Sequence, residues 1–203
     1  TDRRQASRYG VVAAAAAAVE GGAQAVVVRE KDLPAEARCE LVRGIRGVLH
    51  LLGVALLVAG GDVELARRSG ADGLHLAATD PWPPAGHGLV VGRSCHDAEE
   101  VTAAGAMGAD YATLSPVFAS ASKPGYGPVL GLGELAAMAA QAALPIVALG
   151  GVTAATAGAC VDAGAAGVAV MGAVMGAEDP RAAAAELVMS LAVRRAGVPA
   201  TGR

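Results

Sequence analysis

Residues 111–127 combine an apolar strand with the side chains of an anion-binding loop. The segment reads Y-A-T-L-S-P-V-F-A-S-A-S-K-P-G-Y-G. Ser120, Ser122 and Lys123 supply hydroxyl donors and a positive charge, and two glycines allow the backbone to approach a ligand closely. A second glycine-rich turn, A-L-G-G-V-T at 148–153, follows the next apolar run. The two segments predict a phosphate-type anion site at the carboxyl ends of neighbouring strands.

Other polar residues follow or lie within further apolar runs. Arg29 and Lys31 come directly after a predicted buried strand, a position that favours a binding role over an ordinary solvated loop. His75 alternates with two leucines, so we interpret it as a buried core histidine rather than a catalytic base. His96 lies just past a strand end, where a site role and a helix-capping role both stay open.

Composition limits the class of protein. The 203 residues are enough for one domain with a sizeable core, and because aromatic residues make up 2%, that core must consist of Ala, Val and Leu. The net charge is −3 and there is no basic run, which argues against a nucleic-acid partner. The apolar run at 11–19 is too short to span a membrane. Three widely spaced cysteines without a C-x-x-C motif favour reduced thiols and a cytoplasmic location.

Apolar runs alternate with alanine-rich helical stretches along the chain. Mostly apolar strands with short connections are typical of a parallel α/β sheet. The predicted strands are 25–29, 55–59, 73–77, 89–94, 111–117, 145–149 and 167–171. The predicted helices are 8–21, 34–50, 62–69, 97–107, 131–142, 153–163 and 180–194. Three prolines within 80–88 predict a loop where a helix would otherwise connect two strands.

The repeated strand–helix unit predicts a barrel. A Gly-Ala-Asp or Gly-Ala-Ala phrase precedes the strands that start near 73, 111 and 167, as expected for one unit used repeatedly. Eight such units would close a (βα)8 TIM barrel over residues 1–203, a single domain whose first strand we expect upstream of Thr1. An open, doubly wound sheet is the structural alternative.

The motifs, taken in order, resemble the thiamine phosphate synthase and thiazole tautomerase family. The resemblance covers almost the whole chain, and the motifs follow the family's order and spacing. They are T-D-R at 1, R-E-K-D at 29, G-A-D-G-L-H-L at 70, G-R-S-C-H at 92, G-A-D-Y at 108, S-P-V-F followed by S-K-P-G from 115, and A-L-G-G-V at 148.

This resemblance implies a (βα)8 barrel and a transferase. Such an enzyme joins a pyrimidine methyl diphosphate to a thiazole phosphate, giving thiamine phosphate and pyrophosphate. Its partners would be small phosphate substrates, and Mg²⁺ would neutralise the diphosphate leaving group. The oligomeric state stays open, including a homo-oligomer.

The family's functional residues can be carried over to matching positions of this chain. The resemblance implies that Lys123 and Ser94 are catalytic and that Asp80 is a magnesium ligand. It implies substrate contacts from loop residues after four strands. These are Arg29, Lys31, Ser120, Ser122, Gly151, Met171 and Gly172.

Three positions depart from the family pattern. Val27 stands where the family has a glutamine, and Gly61 stands where it has a second magnesium aspartate. Pro116 stands where the tautomerase branch has a catalytic histidine. Besides the synthase, a non-catalytic or divergent protein that binds a thiamine-related phosphate and a tautomerase-type isomerase therefore stay open.

Overall fold

A curled sheet of parallel strands forms the centre of the protein. The computed structural model describes residues 1–49, 52–120 and 127–195, and within these ranges each strand pairs with the next along the sequence. The strands are β1 (Ala25–Val28), β2 (Ala55–Ala59), β3 (Gly73–Leu76), β4 (Val90–Cys95), β5 (Tyr111–Leu114), β6 (Ile146–Leu149) and β7 (Gly167–Ala169). All seven predicted strands are confirmed. β5 ends earlier than predicted, before Pro116, whose nitrogen has no hydrogen to donate to a ladder.

Helices occupy all but one of the connections between successive strands. The helices are α1 (Val11–Glu20), α2 (Ala35–Leu49), α3 (Val63–Ser69), α4 (Ala98–Ala106), α5 (Gly131–Gln141), α6 (Ala154–Asp162), α7 (Gly172–Met175) and α8 (Pro180–Arg195). Of these, α2 to α6 lie between strands, α1 precedes β1, and α7 and α8 follow β7. The seven predicted helices are confirmed. The 3-10 helix Gln5–Arg8 and α7 were not predicted, because one turn is too short to show a helical period. None of the helices in the described ranges is long and apolar enough to cross a membrane.

The connection from β3 to β4 contains no helix, as its prolines predict. The guanidinium of Arg93 on β4 holds this loop in place. It donates hydrogen bonds to the carbonyl oxygens of Ala78 and Asp80, the latter over 2.6 Å. The loop is therefore fixed against the sheet although it lacks regular structure.

The two faces of the sheet differ in polarity. Because neighbouring strands follow each other in sequence and βαβ crossovers are right-handed, the helices cover one face. With the exception of Arg93 on β4, the residues of β1 to β6 on that face are apolar and buried, and Leu56, Leu74, Leu114 and Ala148 are fully so. The alternate residues point to the opposite face, which includes polar side chains on β3, β4 and β5. That face and the carboxyl ends of the strands carry the candidate site.

Candidate functional site

A charged edge lies beyond the carboxyl ends of β1 and β3. The ammonium of Lys31 donates to Oδ2 of Asp80 over 3.0 Å, although 49 residues separate them in sequence. The same oxygen accepts a hydrogen bond from the backbone N–H of Ala77 at 2.8 Å. Two residues that the sequence analysis assigned to the site are thus brought into direct contact.

Burial shifts the pKa of the Asp80 carboxyl in one direction, whereas hydrogen bonds and nearby charges shift it in the other. Partial burial raises its pKa, but this is outweighed by the hydrogen bonds from Ala77 and Lys31 and by the positive charges of Lys31 and Arg93. The net effect holds the pKa of Asp80 below its ordinary value of 3.8. Asp80 is therefore an anion at neutral pH.

The loop after β1 forms a cleft of mixed charge. Four cationic and three acidic residues line this cleft, whose volume is about 230 Å³: Asp2, Arg3, Arg4, Arg29, Glu30, Lys31 and Asp32. Buried Glu30 accepts hydrogen bonds from the hydroxyl of Thr1 at 2.6 Å and from the backbone N–H of Arg3 at 3.2 Å. The guanidinium groups of Arg3 and Arg4 both bind Asp32, at 2.9 and 3.0 Å. The acidic residues fix the loop that presents Arg29 and Lys31.

Two glycines after β2 lie beside the charged edge and the loop that follows β3. A Cβ added at Gly60 would lie 3.9 Å from Cε of Lys31, and one added at Gly61 would lie 3.3 Å from the carbonyl oxygen of Pro81. Asp62, which follows them, is the N-cap of α3, and its Oδ1 accepts from the backbone N–H of Leu65 at 2.8 Å. Its carboxylate therefore stabilises a helix start.

A neutral polar cluster lies on the face of the sheet opposite the helices. Nδ1 of His75 on β3 is 2.9 Å from the hydroxyl of Tyr111 on β5, and Nε2 is 3.0 Å from the hydroxyl of Ser94 on β4. Thr113 Oγ1 lies farther from the same Nε2, at 3.5 Å. The interpretation of His75 as a buried histidine with hydrogen-bond partners agrees with this geometry.

Burial keeps the cluster uncharged at neutral pH. Desolvation, with a smaller effect of Lys31, lowers the pKa of His75 to about 4, against an opposing effect of Asp80. Desolvation, assisted by Asp110, raises the pKa of Tyr111 to about 12. A neutral imidazole thus lies between two protonated hydroxyls. The effects of Lys31 and Asp80 also show that the charged edge is within electrostatic range of the cluster.

The loops after β5 and β6 contact each other through a glycine. Gly151 has a φ of +62°, and a Cβ there would lie 2.3 Å from the carbonyl oxygen of Ala119. Because any side chain at 151 would collide with this backbone, glycine allows the segment that leads to Ser120 to lie directly on the β6 loop. Ser120 and Gly151, both predicted site residues, therefore lie in adjoining loops. Ser122 and Lys123 lie outside the described residues.

The start of α7 lies near the amino-terminal segment. Met171 is its N-cap residue, and a Cβ added at Gly172 would lie 3.0 Å from Oε1 of Gln5. The Gln5 amide also donates to Oδ2 of Asp2 at 3.0 Å, so the two segments are linked through one side chain. Met171 and Gly172 thus follow β7, at the same edge of the sheet as the other predicted residues.

His96 has a structural contact at the end of β4. Its Nδ1 donates to the carbonyl oxygen of Ser115 at 2.6 Å, and its backbone N–H donates to Glu100 at 2.7 Å. The cap of α4 is the next residue, Asp97. The His96 ring therefore ties β4 to the residue after β5.

Sequence reasoning missed two parts of this arrangement. Tyr111 was not singled out, although it alternates with Thr113 along β5 and so lies on the same face of the sheet. The arginine pair on Asp32 was also missed, because residues 28 or more positions apart in sequence form it. The first could have been found from strand register, whereas the second depends on loop conformation.

The fold defines a class: α/β proteins with a curled, all-parallel sheet of the barrel type, in which functional sites gather at the carboxyl ends of the strands. A sequence profile described as thiamine monophosphate synthase matches residues 1–174. The chain belongs to this family.

Similar proteins extend over nearly the whole chain. It is 39% identical to a putative thiamine-phosphate synthase of Geobacter sulfurreducens, over 96% of this chain and 93% of that protein. It is 44% identical to the thiamine-phosphate synthase of Anaeromyxobacter dehalogenans, over 94% and 87% of the two chains. The solved thiamine phosphate pyrophosphorylase of Pyrococcus furiosus is 31% identical and superposes with a TM-score of 0.84, covering 95% and 93%.

Proposed function

We propose that this chain is a thiamine-phosphate synthase. The observation that carries the proposal is its 39–44% identity to thiamine-phosphate synthases over more than 90% of its length. In the reaction, the bond between the pyrimidine methylene carbon and the diphosphate oxygen breaks, and its electron pair leaves with pyrophosphate. The lone pair of the thiazole nitrogen forms the new C–N bond. The protein must hold the leaving group and align the nitrogen.

The charged edge suits the diphosphate. Arg29 and Lys31 follow β1 in a cleft of mixed charge, and their guanidinium and ammonium groups would stabilise the negative charge that accumulates on the departing oxygens. Lys31 is held by Asp80 but its side chain is 43% exposed, so a phosphate can still reach it. We assign Arg29 and Lys31 to diphosphate binding.

The glycine-rich loops suit the thiazole phosphate. The backbone at Gly151, Met171 and Gly172 would form the cradle for that phosphate, since these residues follow β6 and β7 at the carboxyl edge. Ser120 and Ser122 would donate hydrogen bonds to phosphate oxygens. Two further residues, Lys123 and Ser94, would act directly on the reacting groups.

The available ligands fit a magnesium ion that arrives with the substrate rather than a resident ion. No group of three His, Cys, Asp or Glu residues within the described ranges could hold a metal. Mg²⁺ is, however, commonly bound by one or two carboxylates plus substrate phosphates. Asp80 offers one such carboxylate, with Oδ2 already bound to Lys31 and Ala77. When bound, the ion would neutralise charge on the leaving diphosphate.

We infer further that the sheet belongs to a (βα)8 barrel formed as a single domain over residues 1–203. In the described part of the chain, β1 and β7 each pair with a strand on one side only, which supports a barrel with one more strand than these seven. The amino group of Thr1 donates to the carbonyl oxygen of Val27 at 2.7 Å, so the amino-terminal segment lies beside β1.

Cytoplasmic location and homo-oligomer formation stay predictions. Cys39, Cys95 and Cys160 are buried free thiols, which agrees with the reduced state inferred from their spacing.

Pyrophosphate release from the two substrates, with and without magnesium, tests the function. We expect magnesium-dependent turnover by the purified protein. Arg29→Ala should raise the KM for the pyrimidine diphosphate by roughly tenfold or more, since a charge-assisted hydrogen bond is lost. Arg181→Ala, which removes an exposed cation on α8, is the matched control and should leave KM unchanged. Binding of both substrates without turnover would contradict the proposed function.

A further inference from the structure

Three residues on adjacent strands form a row whose middle member has no side chain. His75 on β3 is in register with Gly92 on β4, and Gly92 is in register with Tyr111 on β5. A Cβ added at Gly92 would lie 2.1 Å from Cζ of the Tyr111 ring. The ring therefore occupies the space over β4 that a side chain would fill. Glycine at 92 is what lets Tyr111 reach His75, two strands away.

The contact between the two rings is specific. Their centroids are 5.6 Å apart, with planes inclined by 24°, and the Tyr111 hydroxyl lies 2.9 Å from Nδ1 of His75. On the other side of the imidazole, Nε2 lies 3.0 Å from Oγ of Ser94. Ser94 is two residues past Gly92, closer to the carboxyl end of β4. The chain of contacts thus runs from the start of β5 towards the substrate edge.

The hydrogen bonds of this chain can run in two directions. A neutral imidazole has one N–H donor and one acceptor nitrogen. Either Tyr111 donates to Nδ1 and Nε2–H donates to Ser94, or Ser94 donates to Nε2 and Nδ1–H donates to Tyr111. In the first arrangement, the Ser94 hydroxyl proton is available for a hydrogen bond to another acceptor. In the second, the Tyr111 hydroxyl proton is available instead.

The surroundings of the two hydroxyls favour the first direction. Among the described residues, the hydrogen-bond partner of the Tyr111 hydroxyl is His75. Burial raises the pKa of Tyr111 to about 12, so this hydroxyl keeps its proton. A buried donor is costly when it has no acceptor. The Ser94 hydroxyl, by contrast, lies nearer the edge where substrate binds. A proton left there finds an acceptor when the site is filled.

We propose that Tyr111 and His75 are positioning residues that orient the Ser94 hydroxyl as a hydrogen-bond donor to an acceptor atom of the bound substrate. The acceptor would be a heteroaromatic ring nitrogen or a phosphoryl oxygen. This inference rests on the proposed synthase function for its kinetic consequences. Its structural content, the tautomer of His75, is independent of turnover.

A double-mutant cycle tests the kinetic part. Tyr111→Phe keeps the ring and removes the donor, so kcat/KM should fall about tenfold, the effect of one hydrogen bond. In a Ser94→Ala background the same change should have almost no effect, because Tyr111 acts through Ser94. Tyr9→Phe, which removes an exposed hydroxyl bound to the carbonyl oxygen of Glu178, is the matched control and should be silent. Equal losses in both backgrounds, or no loss in either, would overturn the proposal.

Nitrogen NMR of protein labelled with ¹⁵N-histidine tests the structural part without any substrate. The His75 signals are identified by their loss in His75→Gln. We expect a neutral ring with the proton on Nε2, and a partial or complete change of tautomer in Tyr111→Phe. A proton on Nδ1 in the unaltered protein would overturn the direction of the chain. A protein without turnover would contradict the proposed synthase function, whereas the tautomer of His75 would still test the direction of the hydrogen bonds.

Discussion

The charged edge and the neutral row, in which we now include Ser94 with His75, Gly92 and Tyr111, use polar side chains in opposite ways. At the edge, Lys31 and Asp80 form an ion pair whose side chains are 43% and 24% exposed. In the row, His75, Ser94 and Tyr111 are uncharged, and each hydrogen bonds to another member. The two groups are close enough for the edge charges to shift the pKa of His75. The two groups are thus neighbours, and what distinguishes them is how far water reaches their side chains.

The difference follows from the cost of removing charge from water. An ionised group taken into an apolar interior loses far more solvation energy than a neutral hydroxyl or imidazole, which needs a hydrogen-bond partner. The edge keeps its charges because water reaches them, and it can exchange that water for a phosphate. The row has fixed hydrogen bonds, so it can orient the hydrogen-bond donors of the side chains that it contacts.

The largest expected effect is a pH dependence of stability caused by His75. Its pKa is about 4 in the folded protein against 6.5 ordinarily, mainly because it is buried. Between these pH values the unfolded chain binds the additional proton, so the free energy of unfolding falls as the pH falls. At about 1.4 kcal/mol per pH unit, the loss over the window is roughly 3 kcal/mol. Urea denaturation at about pH 7, 6, 5 and 4 measures it.

Two histidine variants make this test specific. His75→Gln should lose the slope between pH 6.5 and 4, because no group that remains in the row titrates in this range. His87→Gln changes a histidine in the loop before β4, where its Nδ1 accepts from the backbone N–H of Leu89, and should keep the slope. An unchanged slope in His75→Gln would show that another group is responsible.

The next largest effect is expected from Gly92→Ala. The new Cβ would overlap the Tyr111 ring, at 2.1 Å from Cζ, and the ring is held by its stacking and hydrogen bond with His75. Overpacking of this kind costs about 2 kcal/mol, and the ring would also be moved away from His75. Thermal and urea denaturation measure the loss, and the ¹⁵N signals of His75 report the displacement.

Gly44→Ala is the matched control for this substitution. Gly44 lies on the exposed side of α2, where the added Cβ would meet Val12 Cγ2 at an ordinary 3.8 Å. Alanine in a helix interior should stabilise the protein by about 0.5–1 kcal/mol. If both variants changed stability in the same direction, the row would not be tightly packed.

Sequence patterns predicted the strands well because their signal is local. An apolar run such as 55–59, bounded by loop residues, indicates a buried parallel strand without any knowledge of its neighbours. The carboxyl-edge position of Arg29 and Asp80 also follows from strand order alone. These predictions needed only the order of the elements.

The contacts within the site could not be predicted in the same way. The row depends on register across β3, β4 and β5, and its key residue, Gly92, is recognisable only when Tyr111 is known to lie beside it. The Lys31–Asp80 pair depends on the conformations of the two loops that follow β1 and β3. Side chains far apart in sequence meet there because tertiary structure, rather than local preference, decides their positions.

The smallest expected effect on stability comes from the edge. Asp80→Asn should change the free energy of unfolding near neutral pH by less than about 1 kcal/mol, because water screens an exposed ion pair. The folded pKa of Asp80 lies below 3.8, since partial burial is outweighed by the Ala77 and Lys31 hydrogen bonds and by nearby positive charge. The carboxylate's contribution is therefore present above about pH 4 and is lost as the pH falls through the folded pKa.

Urea denaturation of the unaltered protein and Asp80→Asn at neutral and acidic pH measures this difference, which should shrink in acid and in high salt. Asp179→Asn, which removes a carboxylate bound to the backbone N–H of Ala182 on another part of the surface, is the matched control. It should leave magnesium-dependent turnover intact, whereas Asp80→Asn should lower it. A loss of several kcal/mol in Asp80→Asn would mean that the edge is buried in the same way as the row. The contrast between the two regions would then be wrong.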